Sequence, residues 1–197
     1  MASLKDIRIR IGSVKSTRKI TSAMKVVSAA KFHKAQDQAV QFQKYLDKYR
    51  DTMSIALAAC ANYSHPLMRV ANAEAPVAVV ALSSNSSLCG GYNANVISLA
   101  AKQVEIEKAA GHEVVFYALG KKITEGLRMF DVAFVSETLV DKPSFDPTAA
   151  LFDQLMQDFL EGRYSRVDVC YNRFRSAALQ ESTIETLLPC IPPAGST

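Results

Sequence analysis

Apolar residues in the first third of the chain recur at alternating spacings of three and four, as they do in a coiled coil. From residue 2 to about residue 62 there is no proline, and the one glycine is Gly12, which costs about 1 kcal/mol in a helix interior. Ser3 and Asp6 resemble a capping box at its start. The apolar positions are Leu4, Ile7, Ile11 and Val14, then, after a slip of phase near Arg18, Ile20, Met24 and Val27, and finally Phe42, Tyr45, Tyr49, Met53, Ala56 and Cys60.

This pattern predicts one long coiled-coil helix over residues 1–62, and such a helix needs a partner along its apolar stripe. The longest later helical candidates run to only about 20 residues, so nothing else in the chain has a matching length. The partner is therefore expected to be either another polypeptide or a second helix beyond Thr197. The proline-broken ending at 189–197 favours the second option, a shortened form of a longer protein.

The pattern changes after residue 66, where strand-length apolar runs alternate with helical segments. Such alternation predicts a mostly parallel sheet covered on both faces, a Rossmann-like α/β domain over residues 76–190. A linker over 63–75 precedes this domain and a tail over 191–197 follows it. The expected strands are 77–82, 113–119, 132–136, 167–174 and 182–188, the last two antiparallel, and the expected helices run to about 108, over 120–129 and over 145–160.

Charge is unevenly divided between these two parts. Residues 1–60 contain 12 Lys or Arg against four Asp and no Glu, a net charge of +8, whereas the remaining residues carry 11 basic and 15 acidic side chains. The basic character therefore belongs to the long helix, which indicates an acidic partner for that segment. A nucleic acid could supply such charge, but the apolar stripe shares the helix and favours a protein.

The four cysteines, at 60, 89, 170 and 190, form no C-x-x-C pair. Their spacing argues against a zinc site and a disulfide framework and favours a reducing cytoplasm. There is no secretory signal pattern, and no window approaches 18 consecutive apolar residues. We therefore expect no metal and no direct membrane span.

No motif for catalysis or cofactor binding stands out. The Ser/Gly loop at 83–91 matches neither the P-loop nor the dinucleotide fingerprint, and the run 120–124 lacks the upstream glycine of a P-loop. His33, His65 and His112 are scattered and accompany no nucleophile motif. We expect a non-catalytic protein without a cofactor. Two alternatives stay open: a helix-armed adaptor or nucleic-acid-binding α/β protein, and a small α/β enzyme that uses the loop after Leu82.

Two ordered runs carry a family resemblance. Residues 1–31 closely resemble the opening helix of ATP synthase gamma subunits, and the hexapeptide at 88–93 is similar to the family's glycine-rich turn. Weaker agreement occurs at 120–122 and 184–189. The chain departs from the family at Asn85 and Ser86, where an Asp-Arg pair is usual.

The resemblance implies a bacterial central rotor shaft, held peripherally at the cytoplasmic face of the cell inner membrane. Such a shaft couples the flow of protons or sodium ions through the membrane ring to ATP synthesis at beta-subunit sites. Its N-terminal helix pairs with a C-terminal helix, and its partners are the alpha and beta subunits, the epsilon subunit and the c-subunit ring. The implied contacts with the alpha/beta ring are Arg8, Arg10, Arg18, Lys19, Met24, Lys25 and Lys31, and the implied turn at the rotor body is Leu88, Cys89, Gly90 and Gly91.

Overall fold

The computed structural model describes residues 3–59, 65–70, 72–141 and 143–190 of the 197-residue chain. These residues belong to two compact units, one of which contains residues 3–59 and the other the described residues from 65 onward.

The first unit is a single helix, α1, of 56 residues, Leu4–Ala59. At its start the backbone N–H of Ser3 donates to Asp6 Oδ2 and the hydroxyl of Ser3 accepts from the N–H of Lys5, each at 3.2 Å. This reciprocal cap satisfies donors that a helix leaves unpaired at its first turn. The helix continues through Gly12 and through the phase slip near Arg18. The prediction of one long N-terminal helix is confirmed.

The second unit is an α/β domain built on one five-stranded sheet. A 3₁₀ turn, Pro66–Met68, precedes the sheet. The strands are β1 Val77–Leu82, β2 Val114–Leu119, β3 Val132–Ser136, β4 Arg166–Phe174 and β5 Gln180–Leu188. The helices are α2 Tyr92–Ala109, α3 Lys121–Gly126, α4 Thr138–Asp141 and α5 Phe145–Leu160. The short helix α4 has no counterpart in the sequence prediction, because a single turn has too few residues to show a period.

The spatial order of the strands is β3-β2-β1-β4-β5. The first four are parallel and β5 runs antiparallel to β4. The expected fold, a mostly parallel Rossmann-like sheet with a final antiparallel pair, is therefore confirmed. In the centre of the sheet, Val77 lies opposite both Val114 of β2 and Arg166 of β4.

The core lies on both faces of β1, which is why that strand is apolar throughout. Its odd-numbered residues, such as Val79, pack with the buried residues of α2 and α3, and its even-numbered residues, such as Val80, pack with α5. A strand covered on both faces has no solvent side on which polar residues could alternate. Gly126 of α3 lies against α2 so closely that a Cβ there would come within 2.7 Å of Ile97 Cδ1.

A buried cluster of charged residues links α2 to β4 and β5. Arg166 pairs with Glu107 and also donates through Nε to Asp168 Oδ2 at 2.8 Å. Asp168 is 1% exposed and Glu107 is 4% exposed. Thr186 donates its hydroxyl to Asp168 Oδ1 at 2.8 Å. Buried carboxylates are tolerated when they are paired and hydrogen-bonded in this way.

The protonation of Glu107 is expected to make the stability of this domain pH-dependent. Burial raises the pKa of Glu107, but the hydrogen bond and charge of Arg166, with hydrogen bonds from His112 and Gln103, outweigh it and hold the pKa below its ordinary value. A carboxyl group with a lowered folded-state pKa adds stability at pH values above its unfolded-state pKa, and this stability is lost as the pH falls through the folded-state pKa.

We therefore expect the free energy of unfolding to decline below about pH 4.5, and Glu107→Gln to remove part of that decline. Urea unfolding followed by circular dichroism between pH 3 and pH 8 measures it. The matched control is Glu105→Gln, at an exposed position of the same helix, which should keep the wild-type pH profile. Equal pH profiles for Glu107→Gln and the wild type would contradict the assignment.

Candidate functional site

All seven residues that the resemblance places against a ring are exposed on α1. So are the apolar residues among them and beside them: Met24 is 51% exposed, Ile20 62% and Val27 56%. No ion pair within the described residues involves a side chain of α1. The helix therefore presents positive charges that no other side chain of α1 neutralises and apolar side chains that the rest of α1 does not cover.

Because α1 is unbroken, its heptad numbering can be carried from one end to the other. Starting from Leu4, the positions at spacings of three and four form one row, which we call the heptad line. A strict 3.5-residue repeat drifts on a straight helix and so calls for a left-handed supercoil with a partner. The heptad line consists of Leu4, Ile7, Ile11, Val14, Arg18, Thr21, Lys25, Ser28, Phe32, Ala35, Ala39, Phe42, Leu46, Tyr49, Met53 and Ala56.

A second row, the Met24 stripe, consists of Ile20, Met24 and Val27. At about 100° per residue it lies roughly 110° around the helix from the adjacent part of the heptad line. From the sequence, these three residues form either the coiled-coil seam after a slip of phase or a smooth bearing surface. All three are exposed on the unbroken helix, and both roles stay predictions.

The seven expected contact residues lie on three sides of α1. Arg10, Met24 and Lys31 are 14 and seven residues apart and so share one heptad position. Arg18 and Lys25 belong to the heptad line, whereas Arg8 and Lys19 lie on the remaining side. These seven residues do not converge on one point as catalytic groups do. They fit a helix that is surrounded by its partner, and their roles stay a prediction.

The glycine-rich turn at 88–91 is a tight connection from β1 to α2. Gly90 has a φ of +59°, a left-handed conformation that favours glycine. Asn93, 8% exposed, holds the turn from the first turn of α2: its Oδ1 accepts from the N–H of Ser84 at 2.9 Å, and its Nδ2 donates to the carbonyl of Ser86 at 3.0 Å. Leu88, at the tip, is 94% exposed. The turn thus presents one apolar side chain from a rigid base.

Asn85 connects this loop to two neighbouring connections of the sheet. Its Oδ1 accepts from the backbone N–H of Lys121 at 2.7 Å, and its Nδ2 donates to the carbonyl of Glu137 at 2.8 Å. Next to it, the hydroxyl of Ser83 accepts from the N–H of Ile123 at 2.8 Å. Two amides at the start of α3 that could hold a phosphate are therefore already occupied.

Gly120 allows this close approach of the two loops. Its φ is +108°, and a Cβ there would lie 2.5 Å from the carbonyl oxygen of Ser83. Both the backbone conformation and the space exclude a side chain. In the sequence, the run 120–124 only resembles part of a P-loop, whereas the structure explains the glycine itself.

We expect Asn85→Ala to destabilise the domain by about 1–2 kcal/mol, because α3 loses its cap and the carbonyl of Glu137 loses its donor. Asn85→Asp should recover part of this loss, since a carboxylate still accepts from Lys121 but cannot donate to Glu137. Urea unfolding measures the change, and Ser87→Ala, at an exposed position of the same loop, is the control. A change below about 0.3 kcal/mol in Asn85→Ala would contradict this role.

Sequence reasoning missed the side chains that organise this loop. Asn85 was noted only as a departure from a family pattern, and Ser83 and Asn93 were not singled out. A short polar side chain just after a strand, as at Ser83 and Asn85, or within the first turn of a helix, as at Asn93, is the signal that could have found them.

Two further features concern the described residues only. No helix among them contains an apolar stretch of the length that is needed to cross a bilayer. Within the same residues, no group of three or more His, Cys, Asp or Glu side chains is arranged to hold a metal ion.

Comparisons with known proteins extend over almost the whole chain. Residues 3–196 match a protein-family model described as ATP synthase. The chain is 40% identical over 192 residues to the ATP synthase gamma chain of Bacteroides thetaiotaomicron, covering 96% of this chain and 64% of that protein. It is 42% identical over 192 residues to the gamma chain of Bacteroides fragilis, covering 96% of this chain and 66% of that one. It thus spans about two thirds of the length of these relatives.

A solved structure agrees in fold. The rotor of the Euglena gracilis mitochondrial ATP synthase contains a chain that matches with a TM-score of 0.52 and 17% identity. The match covers 92% of this chain and 61% of that one. At this identity the comparison shows the fold alone.

Proposed function

Since this chain belongs to the ATP synthase gamma-chain family, we propose that it is part of the central rotor shaft of a rotary ATP synthase. In this role it couples proton or sodium-ion flow through a membrane ring to ATP synthesis at beta-subunit sites. The observation that carries the proposal is α1, a single helix of 56 residues whose apolar and basic side chains are exposed.

The proposed mechanism is mechanical. A helix of this length is about 85 Å long, so one rigid element can reach from a membrane rotor to a catalytic ring. Because the apolar and basic side chains of α1 are unequally distributed around the helix, each rotor angle presents a different surface to each catalytic site. A ligand or partner shifts a conformational equilibrium only by the difference in its contacts with the two states. Rotation of an asymmetric shaft supplies that difference.

We assign the chemistry of ATP to the beta subunits and no catalytic step to this chain. The turn at 88–91 and the α/β domain are proposed to belong to the rotor body, which contacts the epsilon subunit and the c-subunit ring. The proposed division is a shaft helix over 1–62, a linker over 63–75, the α/β domain over 76–190 and a tail over 191–197. The complex would lie at the cytoplasmic face of the cell membrane, with this subunit peripheral.

Co-purification tests the proposal directly. The tagged chain, expressed with the alpha, beta and epsilon subunits of the same genome, should bring down the alpha and beta subunits in a fixed ratio and restore ATP-driven ion pumping to membranes. A nucleic-acid binder would instead show an affinity that falls steeply with salt concentration, and an enzyme would bind a small molecule without any partner. Failure to recover alpha and beta subunits would overturn the rotor proposal.

A further inference from the structure

The heptad line of α1 is apolar at both ends and polar in the middle. Its first four members, from Leu4 to Val14, are aliphatic, and from Phe32 to Ala56 every member is again apolar. The four members between them are polar: Arg18, Thr21, Lys25 and Ser28. A partner helix that follows the heptad line over its whole length also covers this middle segment.

The hydroxyl groups and the cations of this segment differ in whether they need a partner outside α1. Thr21 donates to the carbonyl of Thr17 at 2.7 Å, so its hydroxyl is satisfied within α1. Arg18 and Lys25 have no such partner, since the acidic residues of the helix are Asp6, Asp37, Asp47 and Asp51, all more than one turn away. Covering an unpaired cation costs several kcal/mol in lost hydration unless an opposite charge accompanies it.

We propose that Arg18 and Lys25 face the helix seated on the heptad line of α1 and not the alpha/beta ring, and that this helix carries two carboxylates one heptad apart, one opposite each cation. The separation follows from the seven residues between the two cations, which correspond to about 10 Å along the axis. The inference rests on the proposed function and on the helix partner that the apolar stripe of α1 requires, and it goes further by stating the chemistry of that partner at two layers. The apolar layers on either side require a protein helix, because a nucleic-acid backbone could not cover them.

Replacing both cations with methionine separates this arrangement from its alternative. If carboxylates lie opposite, Arg18→Met with Lys25→Met leaves two acids covered and unpaired, and the local helix pair opens more easily. If instead the two long side chains extend to water along their apolar stems, methionine completes an apolar seam and the pair opens less easily. The two arrangements thus predict changes of opposite sign.

Hydrogen exchange, followed by mass spectrometry on the assembled complex, measures how readily this segment opens. We expect amides of residues 15–30 to exchange about tenfold faster in the double methionine variant than in the wild type. The charge-preserving variant, Arg18→Lys with Lys25→Arg, should restore most of the protection. Lys44→Met, which lies on the side of α1 opposite the heptad line, is the matched control and should leave the exchange of residues 15–30 unchanged.

Each outcome bears on a different claim. Unchanged or slower exchange in the double methionine variant overturns the carboxylate assignment while leaving the rotor proposal standing. Failure of the wild-type chain to assemble with the alpha and beta subunits, or absence of protection in its residues 15–30, overturns the rotor proposal and the carboxylate assignment with it.

Discussion

Met24→Lys is expected to uncouple ATP hydrolysis from ion pumping, lowering the number of ions pumped per ATP about 5- to 10-fold. Met24 is 51% exposed at the centre of the Met24 stripe. If the surrounding ring carries carboxylates that meet the basic residues of α1, a new ammonium group competes for them. A contact that holds the shaft strongly at one angle favours that rotor position whatever the state of the catalytic sites, so rotation no longer follows the changes at those sites on which coupling depends.

Hydrolysis and pumping have to be measured on the same membranes, because the variant should retain most of its ATP hydrolysis. Met24→Leu keeps the apolar volume and should keep the wild-type ratio. Val26→Lys adds the same charge two residues away, on another side of α1, where Val26 is 68% exposed. If Val26→Lys uncouples as strongly as Met24→Lys, the effect belongs to the charge and not to the Met24 contact. If Met24→Lys leaves the ratio unchanged, the assigned role is wrong.

Arg166→Met is expected to destabilise the α/β domain by about 3–5 kcal/mol, the cost of leaving buried charges without their partner. Arg166 is the shared cation of Glu107 and Asp168, which come from α2 and β4. Without it, both carboxylates lose their shared cation in the interior. The loss should be largest near pH 7 and shrink as the pH falls and Glu107 becomes neutral.

Urea unfolding of the whole chain at pH 7 and pH 4 measures this effect. Arg175→Met is the matched control: its side chain pairs with Glu181 at 3.0 Å, but the two are 50% and 55% exposed. An exposed pair of this kind contributes about 0–1 kcal/mol. A loss at Arg166 no larger than that at Arg175 would show that the buried cluster does not stabilise the domain.

The elements with the clearest periods were predicted closely. The run 77–82 coincides with β1, since a strand buried on both faces is one uninterrupted apolar segment. The predicted helix over 145–160 coincides with α5. The prediction for β5 began at residue 182, but the strand begins at Gln180. The added residues are polar and exposed, and they become strand only because they pair with the end of β4.

Some features of the candidate surface were also predicted from the sequence, and others were not. The sequence alone identified the exposed basic and apolar positions of α1 and the turn at 88–91. It left Ile20, Met24 and Val27 as either seam or bearing surface after a slip of phase, and the unbroken helix is compatible with both. When the heptad numbering is carried through without a slip, Arg18 and Lys25 stand out as the two cations of a row that is apolar at both ends.

The sequence by itself determined that this protein consists of a long basic amphipathic helix and an α/β domain, because a period of 3.5 or a run of apolar residues is visible within one short window. Only the tertiary structure decided the strand order and the contacts between Asn85 and Glu137 or between Glu107 and Arg166. Those partners are 52 and 59 residues apart, and no local pattern couples them. Asn85 and Glu137 meet because parallel strands bring distant connections to the same edge of a sheet, and Glu107 meets Arg166 because α2 packs across the start of β4. Only the path of the chain through three dimensions determines which residues meet in this way.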